Sequence, residues 1–351
     1  MEHNTGGGSR AYGQTGKKLR FAASFLRRRM VHTNLQLLFD CNMRCEICDF
    51  WGESHRTKPS LSLAQIDVIS EKLALVGPQI VSVGGGEPLL HPDIVPIVRS
   101  LNRFHFPVMI CNGFFVTPKN ARALFEAGMY EISVSVDYAD PDRHDKQRGL
   151  TGAHERAMAA LLTLQRSRVA PYQRVHMISV VMDDNLDEME PLIRLCRDIG
   201  ITYVVTLYSD ARGTKATRSI SPAVSERLID LKRRYPEFVS LRSYIGRFSS
   251  AVAEGGVGPC HAGKNMCNID SAGDVSLCID RMDDPIGNIL TGDVFELMAA
   301  LRAKYDANTC RGCWTSCRGC LESLMYGGRP LANMSDYKGM TRDVPLVARA
   351  S

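Results

Sequence analysis

At 351 residues the chain is long enough to bury one large core and a smaller appended unit. Its net charge of +5 is mild, which argues against a dedicated nucleic-acid binder but not against a negatively charged substrate or surface. The twelve cysteines fall mostly in two clusters, three at 41–48 and seven between Cys260 and Cys320, which points to metal ligation in a reducing compartment and away from disulfides. No signal peptide is read at the start, and no run of about 18 apolar residues could span a bilayer, so a cytoplasmic protein is expected. Cys111 and Cys196 stand alone within apolar segments and read as core thiols.

In chain order, residues 1–15, with Gly6-Gly7-Gly8-Ser9, carry too little apolar content to fold and are expected to be disordered. The stretch from Lys17 to Met30 reads as a basic amphipathic helix, with Leu19, Ala22, Ala23, Leu26 and Met30 at i, i+3, i+4 spacing. Its six basic residues suit either a helix closing the bottom of a barrel with a solvated basic face, or peripheral contact with an anionic membrane or acidic partner. From about 34 to 210, short apolar runs at 34–40, 80–84, 107–111, 130–136, 175–182 and 201–208 read as strands. Between them, helical patterns lie near 63–76, 92–104, 118–127, 151–166 and 186–198. Ser62 before Leu63, and Thr117-Pro118, are helix start signals. This alternation predicts a parallel α/β sheet with right-handed crossovers. A further helix near 222–235 leads into a Gly- and Cys-rich region from about 255 that reads as a separate module.

The most informative motif is Cys41-Asn-Met-Arg-Cys45-Glu-Ile-Cys48, on the loop leaving the first strand. Three thiolates so spaced can hold three corners of a [4Fe–4S] cube and leave the fourth iron open to a small molecule. The rival reading is a zinc knuckle, although zinc sites usually close with four ligands. The second strand runs into Gly84-Gly85-Gly86-Glu87-Pro88. The third ends Cys111-Asn112-Gly113 and the fourth Ser133-Val134-Ser135-Val136-Asp137, followed by His144-Asp145-Lys146-Gln147-Arg148-Gly149. Each piece alone is an ordinary turn or ion pair; in this order, at strand ends behind the triad, they reinforce one another. In the C-terminal region, Cys260, Cys267 and Cys278, with Gly273 four residues before Cys278, precede a tight quartet of Cys310, Cys313, Cys317 and Cys320.

Residues 34 to about 210 resemble the radical S-adenosylmethionine (radical SAM) enzymes, and the C-terminal cysteines resemble their SPASM-type extension. The resemblance implies a partial (β/α)6 TIM-like barrel over 34–240, after a disordered start and basic helix at 1–33, with a small cysteine-rich cluster-binding domain at 255–340. It implies a SAM-binding [4Fe–4S] cluster on Cys41, Cys45 and Cys48, and SAM as cosubstrate. Ile47 would lie beside the adenine, and Gly85, Gly86 and Glu87 would hold the methionine amino group. Asn112 matches the family's Thr-Asn-Gly motif with Cys in place of Thr, Ser135 and Asp137 would face the ribose, and Arg148 would pair with the SAM carboxylate. It further implies one or two auxiliary [4Fe–4S] clusters: an inner one on Cys260, Cys267, Cys278 and Cys320, and an outer one on Cys310, Cys313 and Cys317, its fourth site open or held by an oxygen ligand such as Asp336. Zinc at the 310–320 quartet is the alternative. Asp280, two residues after Cys278, is a candidate proton acceptor, or else a turn residue beside Asp283 and Asp284.

The expected chemistry is reductive cleavage of SAM to a 5′-deoxyadenosyl radical, which takes a hydrogen atom from a peptide or protein side chain; a flavodoxin- or ferredoxin-type protein would donate the electron. Two rivals remain at this point. One is radical oxidation or assembly of a small molecule such as an aminosugar, cofactor or lipid precursor. The other is a non-catalytic metal-binding interaction protein.

Overall fold

The computed structural model describes residues 12–52, 55, 57–213, 220–328, 330–343 and 345–346. Six strands run parallel in chain order: β1 (His32–Leu38), β2 (Ile80–Gly85), β3 (Phe106–Cys111), β4 (Glu131–Ser135), β5 (Arg174–Val181) and β6 (Thr202–Leu207). Parallel neighbours need crossovers, and helices supply them: α2 (Leu63–Val76), α3 (Ile94–Asn102), α4 (Pro118–Glu126), α5 (Pro141–Arg148), α6 (Ala153–Ser167) and α7 (Met189–Ile199). Helix starts are set by local chemistry. The Ser62 hydroxyl accepts from the Gln65 amide, and Gln65 reaches back to the Ser62 amide, a reciprocal cap that opens α2. Thr117 and Asn120 do the same for α4, with Pro118 in the first turn. Ile66, Ile69 and Leu73 form the buried stripe of α2 and join Leu35, Leu37, Val81 and Val83 in one core. These six strand–helix units are the expected partial barrel.

The sheet does not stop at the barrel. After α8 (Val224–Arg234), α9 (Arg242–Ile245) and α10 (Phe248–Glu254), strand β7 (Met266–Ile269) pairs in parallel with β1, from His32 against Met266 to Leu35 against Ile269. Antiparallel β8 (Asp274–Ser276) and β9 (Gly287–Asn288) follow, giving the order β6-β5-β4-β3-β2-β1-β7-β8-β9. The cysteine-rich region therefore shares a nine-stranded sheet with the barrel. Polar ties add to the join. Lys72 of α2 donates to the carbonyls of Ile289 and Gly292 at 2.7 and 2.8 Å, and Lys58 pairs with the buried Asp270 at 2.6 Å. The last helices are α11 (Val294–Asp306), α12 (Ser316–Tyr326) and α13 (Pro330–Met340).

The basic helix forms as α1 (Gln14–Leu26), but its expected apolar stripe faces the wrong way. Lys17 is the fully buried residue. Its ammonium donates to the Asn102 carbonyl and side chain and to the His105 carbonyl, all at 2.9 Å. Phe21 packs edge-on against Phe106. Leu19 and Leu26 are instead 67% and 80% exposed, and Ala22 and Ala23 lie outward with them. Three carbonyl-type acceptors compensate a buried ammonium better than leucine could, and that decides the rotation of the helix. Residues 1–11 of the expected disordered start lie outside the described residues, and Gln14 and Thr15 belong to α1. Among the described residues, no helix is long and apolar enough to cross a membrane.

Candidate functional site

A cavity of about 300 Å3 opens at the C-terminal ends of the barrel strands, the end where α/β folds concentrate their chemistry. Cys41, Cys45 and Cys48 all line it. Their loop is fixed from two sides. The amides of Arg44 and Glu46 donate to the carbonyls of Arg148 and Gln147 at the end of α5, at 3.1 and 3.0 Å. The Gly86 and Glu87 amides donate to the Leu38 and Asp40 carbonyls just before Cys41, both at 2.8 Å. The second contact requires glycine. Gly85 has φ +122°, and a Cβ there or on Gly86 would run into the Leu38 or Asp40 carbonyl.

Burial pushes the Cys41 thiol up to about 11 and raises that of Cys48 as well, with Arg212 working the other way at Cys48. The triad therefore needs positive neighbours or a metal to hold it as thiolates. Two arginines answer. Arg148 Nη1 lies 3.9 Å from Cys45 Sγ, and Arg212 is close enough to Cys48 to act on its charge. Three thiols of one loop around one cavity, with cationic neighbours, fit an iron–sulfur cube. Among the described residues, no three His, Cys, Asp or Glu side chains form the compact set that a single metal ion takes. A cube spaces its ligands more widely, one thiolate to each iron.

Of the residues expected to hold SAM, Ile47, Gly85, Gly86, Glu87, Asn112, Ser135 and Arg148 line the cavity. Glu87 does so with both oxygens committed: they accept from the Leu89 and Asn112 amides at 3.0 and 2.8 Å, and burial raises its carboxyl to about 7. Asn112 spans the mouth, donating to Asn42 and accepting from the Phe114 amide. Asp137 corrects the expectation. It is fully buried and absent from the cavity wall; one carboxylate oxygen pairs with Arg148 Nη2 and the other accepts from the Val180 amide at 2.8 Å. Burial opposes the charge of Arg148, but Asp137 and Cys45 outweigh it and raise the guanidinium further. Asp137 thus anchors Arg148, while Arg148 Nε has no partner within the protein.

The C-terminal cysteines group differently from the partition that the family resemblance implies. Cys260, Cys278 and Cys313 lie close enough to act on one another's charge, and Cys313 acts on Cys317 in the same way. Cys317 also lines the main cavity, 3.6 Å from Asn34 Oδ1. Cys267 sits fully buried on β7, 3.5 Å from Thr33, and Cys320 is close enough to Tyr244 and Cys317 to share their electrostatics. Cys310 is half-buried against the core. Asp336 is a second correction: both its oxygens are taken by Arg242, through the backbone amide at 2.8 Å and the guanidinium at 2.9–3.2 Å. It stitches α13 to α9 and has no oxygen to spare for an iron. Asp280 acts on the charges of Cys278, Cys313 and Cys317, and it pairs with Arg212 Nε at 2.6 Å and accepts from Ser209 at 3.3 Å. It is neither a turn residue nor an unengaged base.

Four cavity or cluster residues are absent from the sequence reading. Asn34 and Gln36 project from β1 into the cavity, and Asn34 Nδ2 and Gln36 Oε1 are buried without partners. Polar residues alternating with Leu35 and Leu37 are the signal that marks them. Arg212 joins the two cysteine sets, acting on both Cys48 and Cys317. Arg318, 2% exposed, donates to the Cys313 carbonyl at 2.7 Å and offsets Cys260.

Residues 36–196 match the family described as the Radical SAM superfamily. These residues form a radical SAM domain. Its curated relatives include the mycofactocin maturase MftC of Mycobacterium tuberculosis (strain CDC 1551 / Oshkosh), 27% identical over 337 residues, covering 90% of this chain and 84% of that one. An AdoMet-dependent heme synthase of Methanosarcina barkeri is 30% identical over 197 residues, 55% of each chain. Among solved structures, Streptococcus suis SuiB bound to precursor peptide SuiA matches with TM-score 0.62 at 13% identity, over 81% of this chain and 68% of that one. Native anSMEcpe with bound AdoMet matches with TM-score 0.62 at 16% identity, over 88% and 95%. At such identities these structures speak to fold alone, and the fold is that of radical SAM enzymes. As in that superfamily, the cofactors are a [4Fe–4S] cluster and SAM.

Proposed function

We propose that this enzyme modifies a peptide or protein side chain, beginning with abstraction of a hydrogen atom and ending in oxidation or cross-linking. The observation that carries this reading is the pair of unsatisfied polar atoms on β1. Asn34 and Gln36 line the cavity from alternate positions of β1, and their buried Nδ2 and Oε1 have no partner within the protein; turned into the cavity, they would give the donor and acceptor that complement a peptide amide. The naming of MftC as a maturase and the binding of a precursor peptide by SuiB agree with it.

When bound, the cluster and SAM supply reductive cleavage to a 5′-deoxyadenosyl radical. The protein's part is to hold and orient. Cys41, Cys45 and Cys48 would hold three irons of the cluster. Arg148, held at the cavity wall by Asp137, would pair with the SAM carboxylate, and the Gly85-Gly86 backbone would receive the amino end. Ile47 and Ser135 line the nucleoside side. We assign Cys260, Cys278, Cys313 and Cys317 to one auxiliary cluster, with Arg318 and Arg212 offsetting its charge. In this reading Asp280 holds Arg212 at the junction of the two sets, and a flavodoxin- or ferredoxin-type protein supplies electrons in the cytoplasm.

The test is anaerobic turnover with SAM, dithionite and a short peptide encoded beside the gene. Peptide-dependent 5′-deoxyadenosine, with a mass change in the peptide that disappears in Asn34→Ala/Gln36→Ala, is the expected result. Turnover with an aminosugar or lipid precursor, and none with peptide, would overturn it.

A further inference from the structure

Helix α1 is built inside out. Lys17 is buried beneath it, while Leu19 and Leu26 stand 67% and 80% exposed on its outer face with Ala22 and Ala23. On a helical wheel Lys18 flanks that apolar strip on one side, and Arg20 and Arg27 on the other. Arg28 and Arg29 follow at its end, also exposed, and no Asp or Glu occurs between Tyr12 and Val31. The strip continues onto α2. Tyr12 donates to the Ala74 carbonyl at 3.2 Å and Ser24 Oγ lies close to Gly77, so Leu75, 62% exposed, stands beside α1. The helix packs on Phe106, at the start of β3, and on His105 and Tyr130. These positions lie at the N-terminal end of the barrel, opposite the cavity.

We propose that this outward face of α1 docks the enzyme on an anionic lipid surface. Apolar side chains centred between basic ones, with no acidic residue in the segment itself, are the pattern of a helix lying in a membrane interface. Leucines enter the acyl boundary while Lys and Arg keep their charges at the headgroups. Size separates lipid from protein as occupant. Thirteen residues make a helix of about 20 Å, whose outer strip offers roughly 200 Å2, against about 800 Å2 per partner in a stable protein interface. A bilayer needs no such area, because each basic residue adds its own attraction. Docking here also leaves the cavity mouth facing away from the bilayer and open to substrate.

The experiment is co-sedimentation of the full-length protein with phosphatidylcholine vesicles, with and without phosphatidylglycerol, at low and high salt. Binding should need phosphatidylglycerol and fall steeply with salt. Leu19→Ser/Leu26→Ser should weaken it by at least about tenfold, and Arg20→Gln or Arg27→Gln roughly fivefold each. All these side chains point outward, so the variants should keep the circular dichroism and iron content of the parent. No binding to phosphatidylglycerol vesicles overturns the proposal, as does binding that ignores the leucine substitutions. So does a concentration-dependent dimer abolished by the same substitutions, which would make a second copy the occupant. Binding that appears only after removal of residues 1–11 would assign the face to that segment instead.

Discussion

Replacing Asp137 by Ala leaves the guanidinium of Arg148 buried, at 8% side-chain exposure, without its counter-charge, and also strips the Val180 amide of its acceptor. Breaking a buried pair from one side typically costs about 3–5 kcal/mol. In a chain of this size that is a fall in Tm on the order of 10 °C. Replacing both partners removes the charge along with its partner. Asp137→Ala/Arg148→Ala should therefore lose less than the two single variants together, with a coupling of about 2 kcal/mol or more. SAM affinity gives the second readout. Arg148→Ala should weaken binding by roughly tenfold or more, the worth of a charge-assisted hydrogen bond of about 1.5–3 kcal/mol. Asp137→Ala should weaken it in the parent by misplacing Arg148, and have no further effect once Arg148 is Ala. Calorimetric titration of SAM into the four proteins and a thermal melt of each complete the cycle. Additive effects on the SAM Kd would show that Asp137 meets the ribose directly, and an unchanged Tm in Asp137→Ala would refute the buried-pair argument.

The assignment of the auxiliary site predicts that Cys313→Ala loses about four irons per chain, one cube, while 5′-deoxyadenosine still forms; Cys267→Ser should lose none, and a loss of four there would restore the partition that the resemblance implies. Glu87 gives a pH signature. Its folded pKa of about 7 lies above the ordinary 4.5, so between those values the native state holds a proton that the unfolded chain has released. Stability should therefore fall as pH rises from about 4.5 through 7, by at most about 3 kcal/mol; a Tm difference between parent and Glu87→Gln that stays flat from about pH 5 to 8 would count against it. Arg212→Gln should keep iron and SAM binding but lower the midpoint potential of the nearest cluster by roughly 50 mV, about 1 kcal/mol for one electron, because it removes positive charge that favours the reduced form. Potentiometric titration followed by electron paramagnetic resonance checks this, and an unmoved midpoint would mean that Arg212 serves Asp280 alone.

The barrel was legible because its signals are local. Alternating buried strands and capped helices can be read within about fifteen residues, and the expected helix 63–76 coincides with α2. The extension of the sheet was not legible. Met266–Ile269 is four residues long, and its pairing with His32–Leu35 spans more than two hundred positions of chain. Nothing in either segment announces the other. The rotation of α1 escaped for a related reason. The periodicity that made Leu19, Ala22 and Leu26 one face is real, but which face is buried depends on the Asn102 and His105 carbonyls, eighty-five and more residues away.

The site divides along the same line. Cysteines spaced within one loop meet at one cavity, so the grouping of the triad could be read from the sequence. Roles that depend on a partner could not. Arg148 and Asp137 sit at separate strand and helix ends, and each matches a SAM contact on its own. Only their meeting shows that one carboxylate is spent on positioning the other residue's guanidinium. The same holds for Asp280, paired with Arg212 across 68 positions, and for Asp336, held by Arg242 across 94. A carboxylate near cysteines reads as a ligand or a base until the charge that neutralises it is found. In this fold that charge is each time an arginine from another element. Arg212 reaches from the loop after β6 towards Cys48 on one side and Cys317 on the other. A half-buried guanidinium between two cysteine sets lowers the cost of holding both as anions.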